Sequence, residues 1–161
     1  AWVRSLGKQP SGAVIEFGPR PADEALAVAL GVRPGSTVYH LVRVRLADDE
    51  PLMIERTSFP SRIGELLTAV DLNHHSIYAE LARRGVVFAS ARHLINAMPA
   101  ARADARLLRV APGTPLLRVQ RHAFSLSGEP LEWSDDRYLA DRVSFAVENS
   151  MIGPGVVRRL E

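Results

Sequence analysis

The apolar positions along the chain change period several times, and each change marks a new element. Ala13-Val14-Ile15-Glu16-Phe17 reads as a short strand, broken by Gly18-Pro19-Arg20-Pro21. Ala22 to Leu30 reads as a helix, alanine-rich, with Asp23 and Glu24 in its first turn, where the helix dipole favours acids, and Gly31 at its stop. Thr37 to Leu46 is a β-branched strand that Asp48-Asp49 turns back into Leu52 to Phe59, with Pro60 as terminator. A short helix over Arg62 to Ala69, a polar loop at Asp71 to His75 and an amphipathic helix over Ser76 to Arg84 follow. The last of these turns Ile77, Leu81 and Tyr78 inward and ends at Gly85. Val86 to Ala97 is a long strand, Pro99 opens a helix running to Arg109, Pro112-Gly113 opens a second hairpin, and Ser144 to Glu148 is a last strand. Residues 1–11 read as a linker or arm, residues 12–150 as one domain, and residues 151–161 as a flexible tail.

The pattern repeats. A shift of 78 positions carries Pro21 onto Pro99, Ala27 onto Ala105, Leu30 onto Leu108, Val32 onto Val110, Pro34-Gly35 onto Pro112-Gly113 and Arg43 onto Arg121. One added residue in the hairpin turn then aligns Glu50-Pro51-Leu52 with Glu129-Pro130-Leu131. Two related strand–helix–hairpin halves predict an α+β fold, a single antiparallel sheet with helices on one side; a solenoid needs more than two repeats.

Composition narrows the function classes. The 161 residues suit one domain, and a net charge of +2 gives no basic field of the kind that attracts nucleic acid. Nineteen of the twenty cationic side chains are arginine, a bias that suits bidentate carboxylate or phosphate clamps and equally follows from codon usage. Cysteine is absent, which excludes disulfides and thiolate metal sites, and no apolar run is long enough to span a membrane. A cytoplasmic location with no membrane partner is the default expectation.

Strand alternation puts Leu41, Arg43 and Arg45 on one face of their strand. Two neighbouring arginines on a central strand need anionic partners: either internal acids such as Glu55 or Glu132, or a bound anion. Met53, Glu55, Thr57 and Phe59 share a face of the returning strand, as do Glu132, Ser134, Asp136 and Tyr138 in the second hairpin. The acids read as salt-bridge partners or as acceptors for a ligand's hydroxyl or amino groups. Ser76 reads as a helix N-cap, or as part of an anion-receiving helix start with Tyr78. His74-His75 lack the spacing of a helical metal pair, and no nucleophile elbow, phosphate-binding glycine loop or zinc motif occurs. No catalytic residue, metal or cofactor is therefore expected.

Arg43-Val44-Arg45, Glu50-Pro51-Leu52-Met53-Ile54-Glu55, Ser76-Ile77-Tyr78, Pro112-Gly113 and Gly128-Glu129-Pro130-Leu131-Glu132-Trp133-Ser134, in this order and spacing, resemble the UTRA domain of HutC-like regulators in the GntR superfamily. The resemblance covers about residues 12–149. It implies a chorismate lyase-like fold, a homodimer and a small-molecule effector, often anionic, that changes the DNA affinity of an N-terminal winged helix-turn-helix domain. Carried onto matching positions, it assigns anion binding to Arg43, Arg45, Ser76 and Tyr78, and polar readout to Glu55, Glu132 and Tyr138. No winged helix is present, so the chain is expected to be a piece of a longer protein and to reach operator DNA only through the missing domain. The Ser/Thr-rich loop and Arg-Gly of sugar-phosphate-sensing relatives are replaced by Gly7-Lys8-Gln9-Pro10-Ser11-Gly12, which argues against an amino-sugar phosphate. The alternative is a chorismate lyase-like enzyme whose arginines hold a small carboxylate.

Overall fold

The computed structural model describes residues 9–150 and 153–160. Six strands, β1 (Pro10–Pro21), β2 (Thr37–Ala47), β3 (Glu50–Pro60), β4 (Ser90–Pro99), β5 (Pro115–Phe124) and β6 (Pro130–Leu139), form one sheet in the order β1-β2-β3-β6-β5-β4, antiparallel throughout. The α-helices among the described residues are α1 (Glu24–Leu30), α2 (Ser61–Gly64), α3 (Ile77–Arg83) and α4 (Arg102–Leu108). A separate hairpin pairs β7 (Val143–Ser150) with β8 (Gly153–Leu160). Thus β8 occupies most of the stretch expected to be a loose tail, where Val156 and Val157 suit an extended chain. At the other end Pro10 and Ser11, expected in the linker, already belong to β1; Trp2 and the rest of the arm lie outside the described residues.

The duplication extends to single backbone bonds. α4 starts and ends 78 positions after α1. Val32 N donates to Ala27 O (3.0 Å) as Val110 N does to Ala105 O (2.9 Å), and Gly35 N donates to Ala22 O as Gly113 N does to Ala100 O, both at 2.8 Å. The helix ends match too. Gly31 (φ 63°) closes α1, and its counterpart Arg109 (φ 57°) adopts the same left-handed conformation without glycine's freedom.

The halves join where β3 pairs with β6, and the register there is two-fold. Ile54 faces Arg137 and Ser58 faces Trp133, and a shift of 79 carries the first pair onto the second. The duplicated helices α1 and α4 share one face of this sheet, as two equivalent halves require. α1 packs with Val38 and Trp133, and α4 packs over Val44 and Ile54. The inserted segment between the halves breaks the one-sided expectation. α2, a 3-10 turn (Glu65–Leu67) and α3 cover the opposite face, burying Ile63, Leu67, Leu72, Ile77 and Leu81 against Leu41 and Phe59. Each such fully buried side chain contributes about 1.5–3 kcal/mol of transfer free energy.

Sequence breakers mislead at the sheet edges. β1 continues through Gly18, Pro19 and Pro21 because an outer strand need not donate every N–H. It also bulges between Val14 and Glu16, where Ile15 is one residue more than β4 carries. β4 begins only at Ser90, because Val86 and Phe88 turn onto the cluster around α3 instead of pairing.

Two stability predictions follow from this packing. A Cβ built on Gly64 would lie 2.2 Å from Tyr39 Cβ, so α2 can approach β2 only through glycine. Gly64→Ala should destabilise the domain by about 1–3 kcal/mol in urea unfolding. His40 is buried with Nδ1 2.9 Å from Ser58 Oγ; burial, then the charges of Arg20 and Arg56 against the opposing Glu16, lower its pKa from 6.5 to about 4. The unfolded chain therefore takes up a proton that the native state refuses, and stability falls as pH drops through this window. The loss should reach about 2 kcal/mol between pH 7 and pH 5 and be absent in His40→Asn, which keeps a hydrogen-bonding group but cannot titrate.

Candidate functional site

On the α3 face, directly over the β3–β6 junction, lies a cavity of about 150 Å³. β2 contributes Arg43 and Arg45, β3 Met53 and Glu55, β5 Arg121, and β6 Asp136 and Tyr138, while Ser76, Ile77 and Tyr78 roof it from the start of α3. The roof is held by local chemistry: the Ser76 hydroxyl caps α3 by accepting from Ala79 N (3.4 Å), and Ile77 sinks into the core.

Arg43 is committed within the protein. At 2% exposure, it donates to Glu55 Oε2 through Nε (2.8 Å) and Nη2 (2.6 Å), and through Nη1 to the carbonyl oxygens of Leu72 (2.5 Å) and His75 (3.4 Å). It therefore fastens the loop before α3 to the sheet. That loop is itself tied by Asp71, whose carboxylate pKa is lowered by hydrogen bonds from the His74 side chain and the Asn73 backbone. Glu132, 2% exposed, accepts from Arg121 Nη1 (2.8 Å) and from the Tyr78 hydroxyl (2.8–2.9 Å). The Arg121 guanidinium also lies 4.7 Å from the centre of the Tyr78 ring, a cation–π contact.

Arg45 differs. Among the described residues it forms no hydrogen bond or ion pair, and it points its cation into the same cavity. Burial and then the neighbouring Arg43 charge depress its pKa, against the opposing Glu55 and Tyr138. The charged form of Arg45 is thus less favoured here than in water.

Six of the seven residues expected at the site line the cavity: Arg43, Arg45, Glu55, Ser76, Tyr78 and Tyr138. Glu132 does not; it stands behind the wall and holds Tyr78 and Arg121 in place. Arg121, Asp136, Met53 and Ile77 line it without having been singled out as ligand residues. The 78-residue shift was the available signal for Arg121, since it places that residue where Arg43 stands in the first half. Asp136 accepts from Arg56 N (3.0 Å) and from the Ser134 hydroxyl (3.3 Å), a role that depends on the β3–β6 register and cannot be read from spacing. His74 and His75 stay in their loop, and among the described residues no three potential metal ligands converge.

These two arginines should respond oppositely to removal. Arg43→Met leaves Glu55 charged, nearly buried and without its guanidinium, and should cost about 3–5 kcal/mol. Arg45→Met removes a half-buried cation that has no hydrogen-bond or ion-pair partner among the described residues and should leave stability unchanged within about 1 kcal/mol or raise it. Urea unfolding of the two variants side by side checks the distinction.

Comparison with known proteins places this geometry in a family. Residues 5–144 match the family model described as the UTRA domain. The chain is 28% identical over 144 residues to the HTH-type transcriptional repressor NagR of Bacillus subtilis, and 29% identical over 144 residues to the HTH-type transcriptional repressor PhnF of Mycolicibacterium smegmatis. Each match covers 89% of the chain but only 59% of the relative, so the chain spans little more than half the length of these regulators. Among solved structures, the effector domain of PhnF from Mycobacterium smegmatis superposes with a TM-score of 0.81 at 26% identity, over 87% of this chain and 86% of that one. The C-terminal domain of the histidine utilization repressor from Pseudomonas syringae shares the fold, with a TM-score of 0.79 at 21% identity over 88% of this chain and 99% of that one. The six-stranded antiparallel sheet, its duplicated helices and the family match agree: the chain belongs to the UTRA domain family.

Proposed function

We propose that the chain is the effector-sensing part of a transcription regulator, and that its effector is a small anion or carries an anionic group. Arg45 carries this reading. It is the one cation lining the cavity that has no partner among the described residues, in a cavity where Arg43 and Arg121 are already neutralised by Glu55 and Glu132. A phosphate, phosphonate or carboxylate entering beside Arg45 would meet the Ser76 hydroxyl on the roof, with Tyr138 and Asp136 farther along the floor. The volume limits the enclosed part of the ligand to a small group.

The relatives' names, which call them HTH-type repressors, support a helix-turn-helix segment in the part of the regulator that this chain does not span. In the proposed mechanism the protein acts as a cytoplasmic homodimer on operator DNA. The effector shifts the DNA-competent population only by as much as it binds one arrangement better than the other. A lyase would need a group to drive bond cleavage, and the cavity's acids are either paired with arginine or engaged by backbone and hydroxyl donors.

Calorimetric titration with methylphosphonate, inorganic phosphate and acetate, followed by a panel of phosphorylated and carboxylated metabolites, should yield an anion that binds saturably. Arg45→Met should weaken it by about 1.5–3 kcal/mol, roughly 10- to 150-fold. Unchanged affinity in that variant would remove Arg45 from the site and with it the anionic assignment.

A further inference from the structure

The opposite face of the sheet carries a second hollow, and the duplication shows which residues differ there. In the first half Val42, Val44 and Ile54 form an apolar floor that α4 closes with Leu107 and Leu108. The equivalent floor in the second half is Gln120, His122 and Trp133, and its helix, α1, carries Ala29 where α4 has Leu107. The three floor positions are polar or amphipathic where the first half is apolar, and Ala29 stands where α4 has a leucine. In place of packed core there is an open cavity of about 290 Å³, bounded toward the sheet edge by Arg92 and Leu94 of β4.

Three of its polar residues stand out. Among the described residues the side chains of Arg92, Gln120 and His122 form no hydrogen bond or ion pair, and His122 Nε2 is a buried atom with no partner. By contrast Arg43, Arg56, Arg118, Arg121 and Arg137 of the sheet are all paired with acids. A buried ring nitrogen without a hydrogen bond costs about 1–3 kcal/mol, so this floor is less well satisfied than the apolar floor of the first half. Leu94, 57% exposed, and the half-buried indole of Trp133 supply apolar surfaces of the hollow.

We propose that this hollow is a second small-molecule site, distinct from the Arg45 cavity, and that it takes an aromatic carboxylate. The ring lies along Trp133 and Leu94, and the carboxylate pairs with Arg92 and the Gln120 amide. The charge balance favours an anion: Arg92, His93, Arg121 and His122 line the hollow with no acid among the lining residues, and of the two arginines only Arg121 is already paired among the described residues, with Glu132.

Trp133 is itself the reporter. With Trp2→Phe as background, Trp133 is the single tryptophan. Benzoate should quench its fluorescence saturably, with half-saturation at or below about 10 mM. The neutral isostere benzamide should bind at least about tenfold more weakly, as should benzoate to Arg92→Gln, a substitution on an exposed edge strand. His122→Val with Gln120→Val, which copies the residues of the first half, should abolish the quench while leaving the fold intact by circular dichroism. Arg45→Met should leave it unchanged. No saturable quench, equal quenching by benzamide, or loss of quench in Arg45→Met would each overturn the proposal. So would a Trp133 signal that instead follows protein concentration, which would assign the face to a second copy of the chain.

Discussion

β3 and β6 meet at the centre of the sheet in a register that maps onto itself, and neither half is complete without that junction. α1 belongs to the first half yet packs on β6, and α4 belongs to the second yet packs on β3, so each half finishes the core of the other. The Arg45 cavity rests on the same junction, with a floor drawn from both halves. Separating β3 from β6 would therefore dissolve two cores and the site together, which makes this ladder the constraint that the remaining structure must respect.

A two-fold junction also creates an electrostatic problem. Equivalent halves bring Arg43 and Arg121 toward one cavity, and like charges in a partly buried space repel. Each is neutralised, but by acids that are not equivalent. Glu55 aligns with Ser134 and Glu132 with Met53, so the carboxylate stands at different points along the two inner strands. Arg45 breaks the symmetry further, because its counterpart is the fully buried Ala123. One half therefore brings to the cavity a cation without a partner among the described residues, where the other half has only the buried methyl group of Ala123. Buried ion pairs add little net stability over apolar packing, but they fix geometry, and here they hold Tyr78 and the α3 loop over the cavity.

Much of this was legible in the sequence, for a physical reason. Hairpin turns, helix stops and Pro-Gly corners are local, and their repetition at one shift identified the halves before any packing was known. The faces of β2, β3 and β6 followed from alternation, and six of the seven expected site residues came together. What local pattern could not supply was pairing across sequence distance. The one-sided arrangement of helices failed because α2 and α3 belong to no repeat, and their apolar stripe does not say which sheet face it meets. Glu132 takes the salt-bridge role that was one of its two readings, and that its partners would be Arg121 and Tyr78 was not legible because they lie in other elements. β1 outran its prolines because an edge position relaxes the rule that proline ends a strand, and edge position is a property of the whole sheet.

The same divergence separates the two helices on the opposite face. Leu26 of α1 corresponds to Asp104 of α4, and both are buried. Leu26 needs only apolar neighbours, whereas Asp104 is held by Arg56 at 2.6 Å with Arg137 nearby at 3.8 Å. Arg137 and Arg118 in turn hold Asp135, where burial favours protonation and the two guanidinium hydrogen bonds overcome it, keeping its pKa low. Apolar burial is indifferent to small rotations, while ion pairs demand direction. α4 is therefore fixed in register against β3, the strand whose Arg56 N–H donates to Asp136 on the cavity floor. α1, with no such pairs to the sheet among the described residues, packs on Val38 and Trp133, and Trp133 also borders the hollow with Gln120 and His122. One half of the duplication has kept a filled and directed core, and the other has kept the space.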